Sequence, residues 1–358
     1  MTDITKHQAP AGETGGKLDQ IWFTRCPVPT ATGLAYKLGW LAEEFAGDGI
    51  ALSTLQDAPK ELGRHHYDHQ LPNLIREGGN LLALAARAQH APTRLIGLTW
   101  IDEWQVLLVR ADSGISKPEH LKGKRLALPA FIEHPLKDHI RGSSIARGMS
   151  LHGYKGALGV AGLTLDDVKL VEVGSGRGNR QENLGGLWAG LDELVNGNVD
   201  AVYVKGASAV DAARKVGAVV GIDLDSFPQQ SSRVNNGTPR PITVHEDFLE
   251  NHFDLVARFL YQSLRAAEWA KTNLHGVREI LKAETRSDDD GVATAYGEGF
   301  HLALEPTLSD ERIELFRKQK DFMLVHGLLD RDIDLDAWVD RRPLEQAEKW
   351  LHEKAQAA

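Results

Sequence analysis

The chain has 358 residues, of which 42% are hydrophobic and 25% charged, with a net charge of -9 at pH 7 and one cysteine. The length suits two ordinary domains of a soluble globular protein. An acidic balance without long charge runs argues against a general nucleic-acid or membrane-surface binder, and a single cysteine excludes an internal disulfide framework. Residues 1–17 are polar and hold no apolar run of signal-peptide length, and no window approaches a membrane span, so a cytoplasmic location is expected.

The first element is a short run of β-formers, Ile21-Trp22-Phe23, which reads as a buried strand. It stops at Cys26-Pro27-Val28-Pro29, where two prolines fix φ and remove two backbone donors. Residues 31–45 then read as one helix with Leu34, Leu38, Leu41 and Phe45 on a face, capped by Thr30 or Thr32. Cys26 therefore stands at a strand end just before a helix N-terminus, a setting that favours a thiolate. A lone cysteine is by default a small buried hydrophobe; the rigid strand-to-helix junction is what argues for more.

After a strand at 50–55, residues 63–79 form a locally basic island in an acidic chain: Arg64, His65, His66, His69 and Arg76 against Asp68 and Glu77. Such a segment suits an anion. Gly78-Gly79 then lead into a helix at 80–88, and glycines there let backbone N–H groups approach an anionic oxygen closely. The default for three nearby histidines is a solvated loop. A zinc site is rejected, since no cysteine or histidine elsewhere completes a ligand spacing, and no metal or cofactor is expected. Residues 63–70 offer few anchors to a core, so they are expected to be mobile and to close over an anion, bringing His66 to Cys26.

Strands are expected at 94–100 and 106–110, then a short capped helix, a glycine turn and a strand within 116–128. A mostly helical stretch follows at 135–152, and a strand at 166–173. Gly174-Ser175-Gly176-Arg177-Gly178 reads as a flexible loop, with a helix after it at 183–195. Gly197-Asn198-Val199-Asp200 turns into a strand, residues 207–216 read as a helix and 218–222 as a strand. This alternation indicates an α/β architecture. Past residue 226 a loop or crossover runs to 240 and a brief strand follows at 241–244. The rest is helical, with the clearest helices at 248–272, 277–283, 310–325 and 344–353.

This order of elements resembles the type II periplasmic-binding-protein fold of the nitrate, sulfonate and taurine group. The resemblance is carried by the 107–128 passage, the Gly197-to-Ala201 turn and the 248–260 helix. It implies two α/β domains with a ligand cleft between them: residues 17–113 with 236–358, and residues 114–235. Within that group, the Cys26-Pro27-Val28-Pro29 turn, the spacing of His66 and Arg76, and the Gly78-Gly79 pair resemble a narrower family, the 2'-hydroxybiphenyl-2-sulfinate desulfinases. That resemblance implies catalytic roles for Cys26, His66 and Arg76 and substrate contacts from Gly78, Gly79 and His65, with His65 also able to replace His66. The chain departs from the family where a tryptophan lines the aromatic pocket; Gly142-Ser143-Ser144 stand there.

The chemistry of the residues agrees. A bidentate arginine with backbone N–H donors fits two sulfinate oxygens. Carbon–sulfur cleavage then has two routes. A Cys26 thiolate attacks sulfur and water resolves the adduct, or Cys26 delivers a proton to the ring carbon as sulfur dioxide departs; His66 is base or relay in either. The reading is a desulfinase, a hydrolase of carbon–sulfur bonds, working as a monomer on a small anionic organosulfur ligand. The competing reading is a non-catalytic substrate-binding protein of a sulfonate-, nitrate- or taurine-type ABC transporter.

Overall fold

The computed structural model of the chain describes residues 18–25, 28–131, 144–174 and 188–357. Ten strands are present among them: β1 (Gln20–Thr24), β2 (Ala51–Thr54), β3 (Leu74–Glu77), β4 (Thr93–Thr99), β5 (Gln105–Val109), β6 (Arg125–Pro129), β7 (Lys169–Val173), β8 (Val202–Lys205), β9 (Val219–Asp223) and β10 (Arg240–His245). The main sheet runs β2-β1-β3-β10-β4. Its first three strands are parallel, and β10 returns late in the chain to lie antiparallel between β3 and β4. A second sheet, β8-β5-β9, is antiparallel, and β6 and β7 form a parallel pair. This is the mixed α/β architecture expected from the sequence.

By pairing, β5 belongs with β8 and β9, so the chain leaves the main sheet between Thr99 and Gln105. It returns through residues 234–239. Buried apolar side chains from both sheets form one contiguous cluster. Among the described residues no helix is long and apolar enough to cross a membrane.

Two expected helices are each divided. The 31–45 stretch forms Ala31–Lys37 and Trp40–Ala46, because Gly39 takes a left-handed φ of 82° between them. Thr30 caps the first, its hydroxyl accepting from Gly33 N at 2.9 Å. The 248–272 stretch breaks at His252 into Glu246–Asn251 and Phe253–Thr272. The longer piece buries Phe259, Leu260, Leu264 and Ala267, as its periodicity requires, and sets Phe259 edge-on to Phe23 of β1 at 5.3 Å. That contact seats the helix layer against the strand that leads to Cys26. The expected 135–152 helix is described only as the start of Ile145–Val160, and the glycine-rich loop after Gly174 lies outside the described residues.

Candidate functional site

Three features meet at the C-terminal ends of β1 and β3. The parallel register sets Thr24 beside Arg76. Arg76 is 1% exposed, which is unusual for a guanidinium, and its side chain stays close to its own junction. Nε donates to His66 O at 3.2 Å, and Nη2 donates to Gly79 O at 3.3 Å. The two glycines are there for space. A Cβ on Gly78 would lie 2.8–3.0 Å from the Arg76 guanidinium, and one on Gly79 would lie 2.3–2.7 Å from the Asn236 amide.

The helix that follows, Asn80–Ala88, is pinned at its N-terminus by the returning crossover. Leu81 N donates to Asn236 Oδ1 at 3.1 Å. The buried Asn80 amide donates to Asn235 O at 2.7 Å and Pro239 O at 2.8 Å, and accepts from Gln319 at 2.8 Å. Asn235 also donates to Met149 O and to the Tyr203 hydroxyl, each at 3.0 Å, while Lys205 donates to Asn236 O at 3.3 Å. The Asn235-Asn236 pair thus bonds both the helix beside Arg76 and the elements around the second sheet. The backbone of Asn235 pairs with that of Thr238, and side chains supply the rest: Asn236 N donates to Asn235 Oδ1 at 2.7 Å, while Asn235 O and Asn236 O accept from Asn80 and Lys205.

His66 lies in a one-turn helix, His65–Asp68, with Nδ1 2.9 Å from Thr24 Oγ1. Gln56 Nε2 donates to the same hydroxyl at 3.3 Å and to Arg25 O at 2.6 Å. Burial first, and then the positive charge of Arg76, push the imidazole down to about 3, so His66 is neutral at pH 7. His65 turns to Asp68 instead, Nδ1 to Oδ1 at 2.7 Å. Asp68 and His69 are buried, and Asp68 also accepts from Gln70 N at 3.0 Å. Residues 63–70, expected as a poorly anchored loop, are therefore folded as helical turns held by a local carboxylate. The sequence hid this because the anchor is polar.

Cys26 and Pro27 lie outside the described residues, as do Gly142 and Ser143. What brackets Cys26 is described. Thr24 contacts His66, and Arg25 pairs with Glu284, which also pairs with Lys37 at 2.7 Å. Val28 O accepts from Thr30 N at 2.8 Å. The structure brings His66, Arg76, Gly78 and Gly79 to one junction and directs His65 to Asp68.

Sequence reasoning missed Thr24, Gln56, Asn236 and Glu77. Glu77 follows Arg76 and is fully buried on the other face of β3. Burial raises its pKa, opposed by the Arg240 charge and by hydroxyls including that of Thr99, which donates at 3.0 Å. The available signal was an Arg-Glu pair inside an otherwise apolar strand. Among the described residues no group of three or more histidine, cysteine, aspartate or glutamate side chains could hold a metal. Chemically, the junction offers a buried guanidinium, a neutral imidazole and a glycine-flanked helix start, the setting for a compact oxyanion.

Fold and junction together define an α/β protein of the periplasmic-binding-protein fold. The family model described as "NMT1/THI5 like" matches residues 75–273, more than half of the chain, and the chain belongs to that family. The chain is similar to the 2'-hydroxybiphenyl-2-sulfinate desulfinase of Rhodococcus erythropolis, 26% identical with 94% of this chain and 96% of that protein covered. Among solved structures it resembles a cysteine-to-serine variant of DSZB in complex with biphenyl-2-sulfinic acid, at 22% identity and a TM-score of 0.68, covering 92% of this chain and 99% of that one. A putative periplasmic sulfonate-binding protein SsuA from Methylobacillus flagellatus KT aligns at 16% identity and a TM-score of 0.67, covering 94% and 96%. The structural likenesses carry the fold.

Proposed function

We propose that this protein is a sulfinate desulfinase that converts an aryl or related sulfinate and water into the desulfinated compound and sulfite, with Cys26, His66 and Arg76 at the reacting centre. The observation that carries this reading is the junction itself. A buried arginine that donates to the His66 carbonyl, and a neutral imidazole that meets the strand-end Thr24 hydroxyl, lie at the strand whose next-but-one residue is the chain's one cysteine. The similarity to a desulfinase over most of both chains supports it.

In this account the sulfinate sits against Arg76 and the Gly78-Gly79 turn, which hold its two oxygens. A neutral His66 disfavours a thiolate–imidazolium pair, since a second positive charge beside Arg76 is penalised. We therefore favour proton delivery. The Cys26 thiol gives its proton to the ring carbon, the carbon–sulfur bond breaks with its electron pair staying on carbon, and sulfur dioxide leaves. Water converts sulfur dioxide to bisulfite and a proton, and that proton restores the thiol with His66 as relay. The two α/β lobes frame the cleft in this reading, and the chemistry is placed in the cytoplasm.

The second reading is a binding protein that holds a sulfonate-like anion without chemistry, favoured by the likeness to the sulfonate-binding SsuA. Sulfite release from a panel of aryl and alkyl sulfinates separates the two. Release from at least one sulfinate supports the desulfinase; tight binding with no release from any member supports the binding protein.

A further inference from the structure

Away from the Arg76 junction, a groove of about 410 Å3 is lined by the Ile145–Val160 helix, the turn around Gln230–Arg233 and the Asp310–Val325 helix. Lys155 enters it from the first helix and Lys318 from the last, while Gln229, Ser231 and Ser232 supply the turn. Among the described residues neither lysine has a carboxylate within 4.0 Å. Lys155 rests instead over the Phe322 ring at 5.2 Å. Asp321 is the acid that attracts Lys155, and it is already paired with Lys320 at 2.8 Å. Although Lys155 reaches the surface, partial desolvation and the Lys318 charge both disfavour its ammonium form. In a chain of net charge -9, two such like charges held against one concavity call for an anion between them.

The rest of the groove is built rather than incidental. His152, buried and stacked on Phe322 at 4.0 Å, lies behind it, and burial keeps that imidazole neutral. A Cβ on Gly156 would lie 2.0 Å from Ser232 O, so the helix backbone closes directly on the turn there. Gly159 has nothing within 4 Å of its Cβ position, and Val160 is 38% exposed, so the groove opens on an apolar end. The volume exceeds that of an inorganic ion and falls in the range of small-molecule pockets.

We propose that this groove binds a small organic dianion of the phosphate-monoester class, its charged head between Lys155 and Lys318 and its organic part along Gly159 and Val160. The site is independent of the Arg76 junction, although Gln319, next to Lys318, donates to Asn80 there at 2.8 Å.

Calorimetric titration with phenyl phosphate at constant ionic strength, with inorganic phosphate in parallel, tests this on the wild-type protein and a Lys155→Gln/Lys318→Gln variant. Both lysines are exposed, so the variant retains the fold, which its thermal transition verifies. The expected result is saturable binding of phenyl phosphate to the wild type, tighter than inorganic phosphate, and at least tenfold weaker in the variant. No saturable binding to the wild type, or a variant within threefold of it, overturns the site. Inorganic phosphate binding as tightly as phenyl phosphate overturns the organic part of the proposal.

Discussion

Replacing Gly79 by alanine tests whether the crossover and the Arg76 junction are one mechanical unit. Gly79 has φ -53° and ψ 143°, which alanine tolerates, so the backbone is not the obstacle. The obstacle is Asn236, whose Oδ1, Nδ2 and Cγ lie 2.3, 2.6 and 2.7 Å from the new methyl position. The amide must move, and with it goes the 3.1 Å bond from Leu81 N. A lost hydrogen bond that leaves a buried donor unpaired costs about 1–3 kcal/mol, and alanine returns about 0.4–1 kcal/mol by restricting the unfolded chain. The net expectation is a loss of about 1–2 kcal/mol, read from the midpoint of urea unfolding at unchanged m-value. Adding Asn236→Ala removes the clash, so Gly79→Ala should cost less in that background. Gly159→Ala is the control: it lies inside a helix with free space around it and should gain about 0.5–1 kcal/mol. A Gly79→Ala protein as stable as the wild type, or equal costs with and without Asn236, would show that Asn236 is not the obstacle.

Other expectations follow from the same geometry. Arg76→Ala should weaken sulfinate binding by about 2–5 kcal/mol, with incomplete recovery in Arg76→Lys because an ammonium lacks the planar fork; unchanged affinity by calorimetry would return Arg76 to a structural role. Thr24→Val removes the hydroxyl at His66 Nδ1 while keeping its shape, so kcat should fall about tenfold or more with KM little changed; a shift in KM alone would point to binding rather than to His66. His66, with a folded pKa of about 3 against 6.5, contributes stability that is lost as pH falls from about 6.5 towards 3, because the unfolded chain takes up the proton first. Asp225, raised to about 7, acts in the opposite sense over pH 7 to 4 and must not be allowed to mask this. The comparison is therefore between wild type and His66→Gln: the wild type should lose up to about 1.4 kcal/mol more per pH unit in that window, and parallel curves of urea midpoint against pH would contradict the assignment.

Much of the fold is legible because it rests on apolar periodicity. The 80–88 helix and the strands near 94–100 and 106–110 emerge within a residue or so of their bounds, since each buries a continuous or one-sided apolar set. Breaks are less legible. Gly39 and His252 interrupt helices whose apolar spacing continues across them. The site divides along the same line. Arg76 and the glycine pair stand out as a charge and a spacing, whereas Thr24 and Asn236 act through single hydrogen bonds that depend on which strand lies beside which. The buried Asp68 and His69 carry the same lesson: a polar anchor has no signature in a pattern of apolar residues.

The desulfinase reading requires that the junction perform chemistry on a sulfinate and not merely hold one. It is tested most directly by assaying sulfite release and calorimetric binding of the same sulfinate on wild type and Cys26→Ser side by side. The expected result is one sulfite released per sulfinate consumed by the wild type, and no release with binding retained in Cys26→Ser, because serine keeps the shape but has a far higher pKa. Binding by both proteins with sulfite from neither, or undiminished release by Cys26→Ser, would contradict it.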